Sequence, residues 1–392
     1  MIPLLTSRSG FVLPFNDRLS PLLTLTRASA GTRVNAAGLV VSEAVDAPRL
    51  DYDLATLAVR GMLSEGAATN LIPFSTASLL QNPPWTTTGS MTVTDNAGVA
   101  PDGTSTSTLL TKTAAAGITG SYFAFGIPVA PATIYTASFY GRLGTALAAD
   151  MRYSLYDEIA LGFFASEVAF TQTALSTGWT RLWASFTTPA GCTSLRFYPW
   201  RHLNAAAGAT LYAWGHQVEA GSAPSAFIPT TGAAATRAAD IITMPNTASR
   251  IYPGPGSIIL TVTLPALPAA SNQFLWRWDA GTDANQIRCF AGSTTPVLQA
   301  ILGSVGQFYL IAPVQTPGVL RLACTWDATS AAICVNGGTV VSGNAITGLP
   351  TNPSRLLVGA GISGTGPMYG ALGPLRYLPR RMANAELIAA TS

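Results

Sequence analysis

No stretch of this chain sustains a helical period. Short runs rich in Val, Ile, Thr, Phe, Tyr and Trp alternate instead with Gly, Pro, Asn and Thr punctuation, which is the pattern of an all-β sandwich protein. In Gly256 to Leu264, the side chains of Ile258, Leu260, Val262 and Leu264 fall on one face of a strand. In Ile134 to Arg142, Tyr135, Ala137 and Phe139 share one face and Ile134, Thr136, Ser138 and Tyr140 the other. In Trp179 to Phe186, Leu182, Ala184 and Phe186 oppose Trp179, Arg181 and Trp183. Further strands are expected at 107–112, 151–156, 194–200 and 210–219. No heptads occur, so a coiled coil in this chain is excluded as the basis of any oligomer.

At 392 residues the chain has room for two or three such units. Charged residues make up 10%, against about 25% in an average globular protein. A coding bias toward Ala, Gly, Thr and Arg explains this, and so does burial of surface between subunits. Lys112 is the single lysine, net charge is +3, and Arg380-Arg381 is the densest basic spot, which gives nucleic-acid binding little support. No apolar run reaches the ~18 residues of a membrane span. The first residues, MIPLLTSRSG, lack the pattern of a secretory signal. Synthesis in a cytoplasm and arrival outside by assembly is the expectation. Cys192, Cys289, Cys324 and Cys334 form no C-x-x-C pair, which argues against a zinc knuckle. Free buried thiols are expected, with a Cys324–Cys334 bridge between neighbouring strands as the alternative.

Three units follow from the pattern: an extended segment at 1–69, a sandwich at 70–240 and a second sandwich at 241–392. The first carries Arg27-Ala28-Ser29, Thr32-Arg33-Val34-Asn35 and Pro48-Arg49-Leu50-Asp51-Tyr52. The second opens with Asn70-Leu71-Ile72, Trp85, Val93-Thr94 and Ala100-Pro101-Asp102-Gly103-Thr104. It closes with Tyr212-Ala213-Trp214, Gln217 to Gly221, Ile228 to Gly232 and Thr236-Arg237-Ala238-Ala239-Asp240. These segments resemble the carbohydrate-binding-module-like jelly rolls of tailed-phage and gene-transfer-agent fibres and spikes, and the first unit resembles a segment placed ahead of such jelly rolls. The first unit is read as an attachment segment, with a strand-and-loop cap on the next domain as the alternative. Residues 211–219 are read as a closing strand with Trp214 in the core, and 221–240 as an ordered linker.

In the third unit, Trp326-Asp327 ends one strand, Ala332 to Val335 is the next, and Asn336-Gly337-Gly338 supplies turn residues. A short helix follows, with Asn384 as its N-cap and Glu386 in its first turn. This order resembles a concanavalin-A-like or laminin-G-like sandwich.

Catalysis has few candidate groups. Carboxylates are scattered, and the E-x-D-x-x-E strand motif of concanavalin-A-like glycosidases is absent. His216 is read as a packed or edge side chain and His202 as a loop residue; neither accompanies G-x-S-x-G. Sugar binding fits better, because aromatic faces stack on pyranose C–H faces while Arg, Asn and Asp hold hydroxyls. Alternation puts Arg196, Tyr198 and Trp200 on one strand face, followed by Arg201 and His202, and puts Trp179 and Arg181 on another. If the two faces coincide they form one platform; tryptophans packed in the core are the alternative. Trp276 and Trp278 point one way with Leu275 and Arg277 opposite, one of the two sets being inside. Structural calcium is possible, with Asp102 and Glu219 as weak candidates, although Trp214 stands where related modules often carry an Asp.

The resemblance implies a virion-surface fibre or spike subunit, a homotrimer, that attaches through its N-terminal segment to other virion proteins and binds host surface polysaccharide without catalysis. The alternatives are a tailspike-type depolymerase and a decoration protein that binds no glycan.

Overall fold

In the computed structural model the described residues are 10–15, 18–76, 85–114, 121–245, 254–267, 272–345, 347–350 and 353–392. They are nearly all strand and turn, with one α-helix, Asn384–Thr391.

The middle sandwich has two five-stranded antiparallel sheets. The first runs Thr180–Thr187, Ile134–Leu143, Thr210–Ala220, Ser107–Lys112, Met91–Gly98. The opposite sheet runs Gly162–Ala169, Arg152–Asp157, Ser194–Trp200, Ser121–Pro128, Trp85–Thr88. Phe139, Leu182, Val218 and Leu110 from the first meet Leu155, Leu195, Phe197 and Ala124 from the opposite sheet in one core. The alternation expected for Ile134–Leu143 and Thr180–Thr187 is the one observed: Tyr135, Ala137, Phe139 and Leu182 face inward.

The second sandwich is built from an eight-stranded and a seven-stranded sheet. The eight-stranded sheet runs Val341–Asn344, Ser330–Val335, Gly318–Trp326, Gly256–Leu264, Tyr369–Leu378, Val59–Glu65, Leu50–Tyr52, and Phe11–Leu13 also pairs with Tyr369–Leu378. The seven-stranded sheet runs Thr24–Thr26, Ile241–Pro245, Arg355–Val358, Gln273–Asp279, Gln286–Ala291, Pro296–Leu302, Val305–Ile311. Ile258, Leu260, Val262 and Leu264 lie in its core beside Trp276, Trp278 and Trp326.

The segment 1–69 differs from the expected separate unit. Its strands complete both sheets of the C-terminal sandwich, and Leu13, Leu25 and Met62 enter that core. The physical reason is strand length. Pieces of three to seven residues cannot close a core alone, and an open sheet edge is stabilised by a partner. The remaining hairpin, Gly31–Val34 with Val40–Glu43, covers the outer face of the first middle sheet. There Val34, Val40, Tyr140, Trp214 and Phe227 form a small third core, so Trp214 is buried as expected.

In the C-terminal sandwich the cysteines are as expected from the sequence, and the start of the helix is corrected. Cys324 pairs with Ile333 and Ala323 with Cys334. The offset of one residue sends the two thiols to opposite faces, and all four cysteines are free and buried. The helix starts one residue earlier than expected. Ala383 is the N-cap, and its N–H donates to Glu386 Oε2 at 2.8 Å.

Candidate functional site

The residues expected to form one aromatic and arginine platform are split between the two sheets of the middle sandwich. Trp179 and Arg181 belong to the outer face of the first sheet, whereas Arg196, Tyr198 and Trp200 belong to the opposite sheet. The faces do not coincide.

Trp200 points into the core, fully buried, with its indole N–H donating to Asp150 O at 3.0 Å. The correction has a local cause. Between Tyr122/Trp200 and Ala124/Phe197 the strand Ser194–Trp200 holds one extra residue. That bulge reverses the alternation, so Phe197 and Trp200 both face inward. Arg196 and Tyr198 stay outside in a self-contained ladder. The Arg196 guanidinium lies over Phe123 at 4.8 Å and Tyr156 at 4.9 Å and pairs with Glu158 at 3.0 Å. The Tyr198 ring is buried against Phe123 and Phe163. Arg201 is nearly buried, lies over Phe163 and donates to Ser166 Oγ at 3.0 Å. His202 Nδ1 lies 3.1 Å from Asp150 Oδ1. Most polar atoms of this set are engaged within the protein, which leaves few for a ligand.

Trp179 and Arg181 have a different setting. With Trp183 they open into a cleft of about 480 Å³, a volume typical of ligand sites. Three parts of the chain build it. The first middle sheet contributes Tyr140, Trp179, Arg181 and Trp183, with Gln172 beside them; residues 32–65 contribute Arg33, Asp51, Asp53 and Arg60; the C-terminal sandwich contributes the floor at Thr263–Pro265 and Tyr369–Ala371. Gln172 Oε1 accepts from Trp183 N–H at 2.9 Å. Arg181 donates to Ser225 O at 2.5 Å and Ser138 Oγ at 3.1 Å. Arg60 bridges Asp53 at 3.1 Å and Asp51 at 3.7 Å. Three arginines (Arg33, Arg60, Arg181) face three carboxylates (Asp51, Asp53, Glu65) on the cleft wall, so the lining is balanced in charge. Burial pushes the Asp51 carboxyl up, outweighing the Val34 N–H and Arg60. Burial also acts upward on Asp53, but the Thr56 N–H and hydroxyl and Arg60 together hold it below the usual range.

Glu65 of the cleft wall also belongs to a buried set of residues whose joint role the sequence did not disclose. Arg27, Arg49 and Arg237 converge on Asp240 and Glu65, all five buried. Asp240 takes Arg27 at 3.0 Å, Arg49 at 2.5 Å and Arg237 at 3.7 Å. Glu65 takes Arg49 at 2.9 Å and Arg237 at 3.4 Å, and its other oxygen accepts from Ala226 N–H at 2.7 Å. Carbonyls of Ser29, Ala44, Ala47, Thr32 and Gly66 accept further guanidinium N–H groups. The recurrent segments around Arg27, Arg49 and Thr236 to Asp240 therefore meet in one buried junction. The available signal was that, in a chain so poor in charge, each of those segments carries an arginine, and two of them a carboxylate as well.

The calcium candidates do not come together. Asp102 caps its own turn through Thr104, and both Glu219 oxygens are held by Ser225 and Gln217. Among the described residues no group of three His, Cys, Asp or Glu side chains has a metal-binding arrangement.

No family model matches the chain, and no curated protein matches it. Solved structures similar to parts of it include a carbohydrate-binding module, CBM40, of a Ruminococcus gnavus sialidase bound to α2,3-sialyllactose. It is 15% identical over 36% of this chain and 83% of that one, with a TM-score of 0.32. Domain 4 of an extracellular arabinanase from Geobacillus stearothermophilus, in complex with arabinotriose, is 14% identical over 44% and 82%, with a TM-score of 0.33. A tandem CBM22 domain from Paenibacillus barcinonensis is 12% identical over 81% and 98%, with a TM-score of 0.32. The chemistry of the cleft rests on its own residues.

Proposed function

We propose that this protein is a fibre or spike subunit on the surface of a phage-like particle, that it adsorbs the particle to host surface glycans without cleaving them, and that the cleft at Trp179 and Trp183 holds the sugar. One observation carries the reading: two half-buried indoles, Trp183 on the strand Thr180–Thr187 and Trp179 just ahead of it, open into a cleft whose carboxylates, guanidinia and Gln172 amide supply hydroxyl partners. The balanced charge of its walls suits a neutral saccharide. Several copies per particle convert weak single sites into strong attachment, and a homotrimer is the arrangement expected from the sequence resemblance.

Retention on an array of neutral host polysaccharides tests it. Trp183→Ala should lower affinity about tenfold, the equivalent of ~1.4 kcal/mol, with an unchanged melting temperature. Unchanged affinity removes the cleft from the binding role. A second reading, polysaccharide cleavage, draws on Asp51 and Asp53, whose environments push their carboxyls in opposite directions beside one arginine. New reducing ends on incubation with host capsule, lost in Asp53→Asn, would favour that reading.

A further inference from the structure

The outer face of the seven-stranded sheet carries a second arginine and aromatic arrangement, remote in register from the cleft. One cross-strand row reads Leu357, Arg277, Arg288, Gln299, Tyr309. The next reads Phe274, Phe290, Val297, Ile311. Trp276, Trp278, Cys289, Leu298 and Leu310 belong to the opposite, core-facing side. The row of interest therefore faces away from the core.

The two arginines differ in how they are compensated. Arg277 is fully buried and pairs with Asp279 at 2.6 Å and Asp283 at 2.5 Å. Arg288 is half-buried and has no ion-pair partner among the described residues. Its guanidinium lies 5.3 Å from the Phe274 ring and 5.4 Å from the Phe290 ring. Nε and one Nη donate to the amide oxygen of Gln299 at 2.9 and 2.7 Å, so a neutral group fixes its orientation. Burial lowers its proton affinity, and Arg277 lowers it further; Asp283 and Tyr309 act the other way without restoring it. A guanidinium desolvated by aromatic rings and facing a second cation attracts an anion more strongly than an exposed one. Beside it, Tyr309 is 53% exposed and Ile311 52% exposed, apolar surface on which the C–H face of a sugar ring can rest.

We infer that this face is a second saccharide site, selective for a sugar that carries a carboxylate. The carboxylate pairs with Arg288 and the ring lies against Tyr309. The charge logic separates it from the cleft, whose arginines and carboxylates balance. Two sites of different chemistry on one chain would let a single subunit grip a heteropolysaccharide at two places, which raises avidity without new contacts.

The test uses the full chain and two acidic probes, oligogalacturonate and a sialylated oligosaccharide, with the methyl ester of the first as the neutral control. Retention of at least one acidic probe is expected, weakening with salt and falling at least tenfold for the methyl ester. Arg288→Gln and Tyr309→Ala should each cut acidic-probe affinity at least tenfold, and Arg288→Lys should restore part of it. Trp183→Ala should leave acidic binding intact, so failure of the cleft reading stays distinguishable. Retention of neither acidic probe, equal binding of the methyl ester, or unchanged binding by both Arg288→Gln and Tyr309→Ala overturns the inference. If Arg288→Gln melts early, the Tyr309→Ala result decides, because that side chain lies outside the core.

Discussion

His216 shows how one residue decides the fate of a side chain. Gly215 adopts φ 64°, and the strand Thr210–Ala220 carries one extra residue there opposite Ser138–Tyr140. The extra residue turns the imidazole into the core, 4.5 Å from the Trp85 ring and 5.5 Å from that of Phe139. Burial lowers its pKa to about 3. The unfolded chain, at about 6.5, takes up the proton first, so stability falls as pH drops below about 6.5 and continues to fall toward the folded pKa. His216→Phe should flatten the pH dependence of urea midpoints between about pH 6 and pH 4.5; an unchanged slope refutes the assignment. Trp200 is the companion case. Trp200→Ala should cost about 3–5 kcal/mol by urea denaturation, whereas a loss below about 1 kcal/mol would mean the indole is not core. Both positions explain what was legible. Alternation read from sequence held wherever the strand was regular, as at Phe139, Leu182 and Ile258. It failed at Trp200, and at Leu275, which enters the core with Trp276 and Trp278 where the strand Gln273–Asp279 carries one extra residue, because a bulge leaves no mark in residue types.

At the scale of elements, strands were legible and their partners were not. Val59–Glu65 has an apolar centre that any sheet could use, and nothing local names Tyr369–Leu378 as its neighbour. Pairing across three hundred residues is set by which sheet edges remain open once the core closes. The turn at Asn336 and Gly337, by contrast, announced itself through residues that tolerate positive φ, and both adopt it. The same pairing gives the N-terminal strands a structural duty. A fragment of residues 70–392 loses Leu13, Leu25 and Met62 from the core and uncovers Tyr369–Leu378 and Ile241–Pro245. We expect it to lack a cooperative melt of the C-terminal sandwich and to aggregate through the bared strands. A fragment that melts as sharply as the full chain would restore the idea of a separable attachment segment.

On the scale of the whole molecule, the buried junction sets how the two sandwiches unfold. Glu65 is its hub: the strand Val59–Glu65 belongs to the C-terminal sandwich, yet its carboxylate holds the Ala226 N–H on the path leaving the middle sandwich, and also Arg49 and Arg237. Burial acts upward on its pKa, but Arg237, Arg49 and the Ala226 N–H together hold it below the ordinary value. A carboxylate depressed in the folded state stabilises above its unfolded value of about 4.3, and the contribution disappears as pH falls through the folded pKa. Acid therefore removes the negative partner from buried guanidinium groups that remain charged. Breaking such a pair from one side costs about 3–5 kcal/mol. Asp51 acts in the opposite direction, since its raised carboxyl favours the protonated form. Calorimetry at neutral pH should show one transition for both sandwiches. Well below pH 4.3 it should split into two, and Glu65→Gln should split it at neutral pH while leaving each component sharp. A single transition for Glu65→Gln at every pH would mean that the sandwiches are coupled through the cleft floor and the hairpin, and that the junction's arginines serve only to satisfy the carbonyls around them.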